Sequence, residues 1–337
     1  MGYVGQSLRD VYECQRYGCQ ALESGLEPEE ARLLRRSQGL RLGVVSLGAT
    51  TINSLAHGAV RVAELSPEAA ALRRKVANDA VILTAVFNTA DEIVDARSDA
   101  TARDRAVFID RVRSAILTST FPKPVDNLPD HDLQRAVFAA SRLAYRCLGL
   151  SNDVRRAKAG MILQNLRHQI LAQPESTDPG ELLDIGQRTF GHCLEILFLP
   201  TQFADGEYYS RVSRAAWQIG RYCGPLDHGS EVVGDLRDGT RTFATQLIKT
   251  DGPSYRTIAR IREMREDNAS DAYRQGIQNL ETAEQRELYR TLWRLVRTHY
   301  ALQRLDLNAV ELADRAYKGA GRKLLRVMGV STKDLEA

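Results

Sequence analysis

Ala80-Val81-Ile82-Leu83-Thr84-Ala85-Val86-Phe87 runs directly into Asn88-Thr89-Ala90-Asp91-Glu92-Ile93-Val94-Asp95, and this stretch decides how the whole chain is read. From Glu68 to Phe121 there is no Gly or Pro, and the residues are largely Ala, Leu, Arg, Glu and Asp, which favour or tolerate helix. Ser66-Pro67 supplies an N-cap followed by a proline at the first helical position, where its missing N–H costs nothing. The helix predicted from Pro67 to about Ala96 is roughly 45 Å long at the α-helical rise. Its apolar run leaves no polar face between Ala80 and Phe87, so that part is expected to be buried on most sides.

Working outward, helices are predicted at about 6–24, 28–39 and 50–64 before this segment. After it they are predicted at about 102–117, 131–149, 151–172, 180–198, 207–222, 226–241, 254–266, 270–280, 283–302 and 307–328. No stretch alternates with period two beside a hairpin signal, so the expected fold class is all-α. The chain has no long Pro/Gly/Ser-rich linker and no repeat, and the expectation is one helical domain over 1–330 with a frayed tail over 331–337.

Composition narrows the function. With 46 basic and 43 acidic residues in 337, the formal charge is only +3, and no Lys/Arg cluster sits beside stacked aromatics, which argues against a nucleic-acid partner. The five cysteines, Cys14, Cys19, Cys147, Cys193 and Cys223, are scattered and odd in number, so neither a disulfide framework nor a zinc site is suggested. That usage fits a reducing compartment. No apolar run is long enough to span a bilayer and the N-terminal residues lack a signal-peptide core, so the expectation is a cytoplasmic protein without stable membrane insertion. Serine-hydrolase, P-loop and zincin motifs are absent from the sequence.

The acidic cluster carries the chemistry. Asp91 and Asp95 are four residues apart, so on a helix their carboxylates share one face with Phe87 and Thr84. Two carboxylates repel, and near a helix C-terminus they also oppose the macrodipole unless a cation relieves them. Oxygen ligands of this kind suit Mg²⁺, which takes one or two carboxylates and completes its shell with water and phosphate. The competing reading is a solvated helix end with Arg97 as partner.

Asp91-Glu92-Ile93-Val94-Asp95 resembles the aspartate-rich D-D-x-x-D motif of class I terpene synthases, and three further stretches fall in that family's order. Asp184-Ile185-Gly186-Gln187-Arg188-Thr189-Phe190-Gly191 is similar to the segment with the diphosphate-sensing arginine, which the resemblance assigns to Arg188. Val232 to Thr242 resembles an altered N-D-x-x-S-x-x-x-E motif, with Gly234 in place of Asn, Asp238 in place of Ser, Thr242 in place of Glu, and Arg241 at the basic position. Arg188 and Gly234 are 46 residues apart, the family's usual spacing. Trp293-Arg294-Leu295-Val296-Arg297-Thr298-His299-Tyr300 is similar to the W-x₅-R-Y motif, with His299 replacing Arg.

The resemblance is to a bacterial-type terpene cyclase with a variant second metal motif. It implies a single helical bundle around a central apolar cavity and several Mg²⁺ ions held by Asp91, Glu92, Asp95, Asp235, Asp238 and Thr242. Arg188, Arg241, His299 and Tyr300 would bind the diphosphate, with Asp91, Arg188 and Tyr300 as catalytic residues. Phe87, Trp217, Tyr222 and Trp293 are candidate pocket aromatics whose π faces would stabilise a carbocation, with core packing as the competing reading.

A shifted register remains open, because Asp227, Glu231 and Asp235 form an acidic stripe at i, i+4 and i+8; Pro225 would place it in a helix's first turns, where acids merely suit the dipole. The activity implied is carbon–oxygen lyase chemistry on a prenyl diphosphate, with a lean to a twenty-carbon diterpenoid substrate, linear or already cyclised by a separate class II cyclase. Helical dimers are common in that family. Two alternatives stand beside it. Asp91-Glu92-Ile93-Val94-Asp95 also looks like the D-E-L-V-D of squalene/phytoene-type coupling enzymes, and the altered second motif suits a non-catalytic helical protein that binds a diphosphate.

Overall fold

A computed structural model of the chain describes Pro28, Pro67, Glu68, Ala71, residues 102–118, 153–197 and 206–280, several positions between 283 and 300, and residues 305–335. Nine helices are described, and no strand occurs among the described residues, so the protein is all-α. They are α1 (Ala102–Thr118), α2 (Asp153–Ala172), α3 (Pro179–Leu197), α4 (Gly206–His228), α5 (Val232–Asp238), α6 (Phe243–Asp251), α7 (Tyr255–Gln278), α8 (Leu305–Ala316) and α9 (Ala320–Val327), with a 3-10 turn at Lys333–Leu335. The described positions between 283 and 300 are helical as well. Two compact units share these elements, with boundaries inside α2, α3 and α4.

In the first unit, Ala106, Ile109, Val112 and Ile116 recur along α1 at helical spacing and are buried, as are Ala159, Ile162, Leu163 and Leu166 of α2. The two helices are tied by Arg113, whose Nε donates to the Gly160 carbonyl at 3.1 Å, and by the Arg167–Asp110 ion pair at 2.7 Å.

The second unit holds the larger described core. Leu182 and Leu183 of α3 meet Val232, Val233 and Leu236 of α5 there, with Phe243, Leu247 and Ile248 of α6, Ile258 and Ile261 of α7, Val310 of α8 and Leu325 of α9. The entry to α3 follows from its sequence: Pro179 takes the first helical position and the Asp178 carboxylate accepts from the Glu181 N–H at 2.7 Å. Farther along, α3 and α4 approach at backbone distance. A Cβ on Gly220 would lie 2.3 Å from the Phe190 carbonyl oxygen, and one on Gly224 would lie 2.6 Å from that of Gly186.

Several boundaries differ from the sequence reading, each for a local reason. Pro225 lies inside α4 rather than opening a helix, and the break comes instead at Gly229-Ser230-Glu231. The next helix, α5, ends at Gly239, whose φ of 71° is the left-handed conformation that favours glycine, with its N–H bonded to the Asp235 carbonyl. An unforeseen helix, α6, then starts at Thr242. The predicted gap within 254–280 is closed, because Asn268 bonds back to the Met264 carbonyl at 2.7 Å and α7 continues through it. One predicted helix over 307–328 is two, divided at Gly319 with φ 85°. The Asp314 carboxylate fixes that corner, accepting from the Gly319 N–H at 2.8 Å and from the Tyr255 N–H at 2.9 Å. Where a frayed tail was expected, residues 331–335 include the 3-10 turn, and Leu335 is buried in the core.

Candidate functional site

The second unit brings the end of α4, the middle of α7 and the helical positions 293–300 into one cluster. Trp293 stacks on Tyr222 with ring centroids 3.5 Å apart and planes 22° from parallel, and Tyr273 of α7 leans on the same indole at 4.6 Å. Spacing of four and then three residues puts Trp293, Arg297 and Tyr300 on one side of their helical segment. Arg297 pairs with Glu266 at 2.9 Å, and the other oxygen of Glu266 pairs with Arg265 at 2.8 Å. The Arg265 side chain is almost fully enclosed; it is the largest such side chain among the described residues.

Around the corner, the Tyr300 hydroxyl donates to the Asp227 carboxylate, and the Ser230 hydroxyl donates to the Tyr300 carbonyl at 3.3 Å. Burial pushes the Tyr300 phenol well above its ordinary range, and the carboxylates of Asp227 and Glu231 and the thiol of Cys223 push it the same way. Burial likewise raises the Tyr222 phenol, against a lowering pull from Arg297. Both phenols are therefore neutral at physiological pH, and that of Tyr300 is a donor. The Cys223 thiol is also raised, first by burial and then by Asp227.

A polar ladder lines the neighbouring helices. Gln187 of α3 donates to Asn268 at 2.7 Å and accepts from the Arg221 guanidinium at 2.9 and 3.2 Å, and Arg221 donates to Gln275 at 3.0 Å. His228 closes α4, edge-on to Phe190 at 6.0 Å and tilted against Phe243 at 6.4 Å, with no hydrogen-bond partner for its buried Nδ1. Burial lowers it from 6.5 to about 4, so it is neutral.

The other candidates lie as follows. Arg188 is on the exposed side of α3, half-exposed and paired with Asp184 at 2.7 Å, while Gly186 and Gln187 beside it are buried. Arg241 donates to the Pro174 carbonyl at 2.6 Å and its own carbonyl accepts from Gln173 at 2.7 Å, which ties the start of α6 to the loop before α3. Trp217 packs its indole over Gly191 and against His192, with ring centroids 4.5 Å apart. Asp235 lies in the first turn of α5 and Asp238 is exposed in its last. Phe87, Asp91, Glu92, Asp95 and His299 lie outside the described residues.

The residues of the second motif are a poor fit for a metal ion in the Gly234 register. Gly234 offers no side-chain ligand, and the Thr242 hydroxyl is buried in a capping box, accepting from the Thr245 N–H at 3.2 Å while Thr245 accepts from the Thr242 N–H at 2.8 Å. Asp238 is the remaining carboxylate of that set. The shifted register fares no better as one stripe, because the break at Gly229-Ser230-Glu231 puts Asp227 and Asp235 on different helices, with Glu231 at the N-cap position of α5 making no side-chain cap. Among the described residues, no group of three or more His, Cys, Asp or Glu side chains is placed to hold a metal ion.

Sequence reasoning did not find Tyr273, Glu266, Arg265, Arg297 or His228. Glu266 and Arg297 are 31 residues apart, and nothing local to either announces the pair. The nearest available signal was the spacing of Trp293, Arg297 and Tyr300 on one helical face.

No family model matches the chain, and no curated protein matches it either. No helix among the described residues is long and apolar enough to cross a membrane.

Proposed function

We propose that the chain is a class I terpene cyclase that ionises a prenyl diphosphate, of which a twenty-carbon chain is the first candidate, and releases a cyclic terpene. One observation supports this reading above the others: the segment that resembles W-x₅-R-Y packs on the end of α4, with Tyr300 bonded to Asp227 while Trp293 stacks on Tyr222. An aromatic face stabilises a cation through the ring quadrupole, and the proposal assigns that part to the face of Tyr222 that Trp293 does not cover. Neutral, buried phenols beside them add oriented dipoles and exclude water from a reactive carbocation. Mg²⁺ belongs to the proposal through Asp91, Glu92 and Asp95, as a requirement to be tested. The scattered, odd-numbered cysteines fit a reducing cytoplasmic compartment, and the proposed partners include a class II cyclase as supplier and a second copy in a homodimer.

A second reading has its own support. Arg188 is paired with Asp184 on an exposed face, Arg241 is held by backbone carbonyls and Thr242 is spent on a helix cap, which suits a helical protein without turnover, and whether such a protein still binds a diphosphate is what the binding arm below decides.

The purified protein should be incubated with ten-, fifteen- and twenty-carbon prenyl diphosphates, with and without Mg²⁺, and the hydrocarbons read by mass spectrometry. The expected result is a Mg²⁺-dependent cyclic product that Asp91→Ala abolishes. A product with twice the carbons of its substrate would instead mean head-to-head coupling. Mg²⁺-dependent binding of inorganic diphosphate without any product would mean the non-catalytic reading.

A further inference from the structure

The six large apolar side chains most exposed among the described residues are unevenly placed. Leu117 and Met161 belong to the first unit, whereas Tyr255, Leu312, Tyr317 and Val327 all belong to α8, α9, their connection and the start of α7 in the second. Leu312, Tyr317 and Val327 are 67%, 71% and 82% exposed, far beyond what packing explains. They are interleaved with cations. On α9, Gly321 and Leu325 face inward, and Arg322, Lys323, Arg326 and Val327 form the opposite, exposed stripe. Lys318 flanks Tyr317 in the connection, and Arg315 lies one turn beyond Leu312 on the exposed side of α8. Tyr255 joins the same surface, with the guanidinium of Arg315 5.9 Å and that of Arg256 5.8 Å from its ring centroid.

Among the described residues, neighbouring carboxylates offset this charge at Arg315, through Glu311, and are otherwise committed elsewhere. Glu311 is buried and held by Arg262 and Arg315, Asp314 is buried and committed to two backbone N–H groups, and Asp251 pairs with Arg260 at 3.1 Å. From Arg315 to Lys333 every charged residue is cationic.

We propose that the outer face of the α8–α9 pair, with Tyr255 and Arg256, is a docking surface for an anionic lipid membrane. The chemistry selects that partner on two counts. Lys and Arg are drawn to the negative potential of anionic headgroups while their alkyl stems lie along apolar surface. Exposed Val, Leu and Tyr side chains enter the headgroup–acyl boundary, where Tyr is enriched, and a phosphodiester groove gives an aliphatic tip such as Val327 nothing to bury against. The contact is peripheral, in keeping with the absence of a spanning helix among the described residues. It stands independently of the site chemistry.

The test uses the full chain and co-sedimentation with vesicles of equal parts phosphatidylcholine and phosphatidylglycerol, beside vesicles of phosphatidylcholine alone. Binding is expected to the mixed vesicles, weaker in high salt, and much weaker to phosphatidylcholine. Each cation removed near an anionic surface should weaken binding about fivefold. The Arg322→Gln/Lys323→Gln/Arg326→Gln variant should therefore lose on the order of 100-fold. Val327→Ser should weaken binding at every salt concentration, with circular dichroism unchanged because the altered side chains are exposed. The proposal is overturned if mixed vesicles are not bound, if the triple variant binds them as wild type does, or if duplex DNA is bound more tightly than the vesicles.

Discussion

His228 sits neutral between Phe190, Phe243 and the backbone at Gly186, and its sign of pH dependence follows from that burial. Its folded pKa of about 4 lies below the ordinary 6.5, so the unfolded chain takes up a proton that the folded chain refuses. The contribution is intact above the ordinary value and is lost as pH falls through this window, amounting to roughly 3 kcal/mol once the histidine is protonated in both states. Urea midpoints of wild type and His228→Phe, compared between neutral and mildly acid pH, should diverge, with the variant the flatter of the two. Parallel curves would mean that the ring is hydrated. Tyr300→Phe keeps the shape of the ring but takes a donor from Asp227. The expected cost is about 1–2 kcal/mol in unfolding free energy. A change confined to turnover, with stability untouched, would place the hydroxyl on substrate instead of on Asp227.

At the scale of elements, the crossing of α3 and α4 depends on missing side chains. Since a Cβ on Gly220 would fall inside the contact distance of a backbone carbonyl that has no freedom to rotate away, Gly220→Ala should cost about 1–3 kcal/mol by overpacking. Gly234→Ala, where the nearest atom lies 4.0 Å off at the end of Arg237, serves as the control and should be near neutral or slightly stabilising in a helix. Equal midpoints for the two variants would contradict the close approach. Helices α1, α2 and α3 were legible to within about two residues, because their apolar periodicity and the Asp178-Pro179 start are local signals. The region from Gly229 to Thr242 was not, because Pro225 mimicked a helix start and the real stops, Gly229 and Gly239, lie inside what reads as a continuous pattern.

For the molecule as a whole, the all-α class was legible from the length of uninterrupted helical composition and the lack of period-two segments. The site was legible only in part. Trp293 and Tyr300 could be named from the family resemblance and the acidic stretch after Pro225 from its spacing, yet the partners that give them an environment, Tyr273, Glu266 and Arg265, are supplied by the tertiary path of α7 and carry no local mark. Thr242 illustrates the reverse: a position aligned to a ligand is occupied by a side chain spent on starting α6.

The 3-10 turn after α9 has a consequence for proteolysis. Lys333 is exposed while Leu335, two residues on, is buried with Val330 in the core. A trypsin-like protease needs several residues on both sides of the bond in extended form, so it can cut after Lys333 only in the fraction of time that Leu335 has left its pocket. Digestion at this one bond therefore works as a clock for local opening. Leu335→Ala should speed it roughly 30-fold, equivalent to about 2 kcal/mol of lost burial, while cleavage within α7 keeps its wild-type pace.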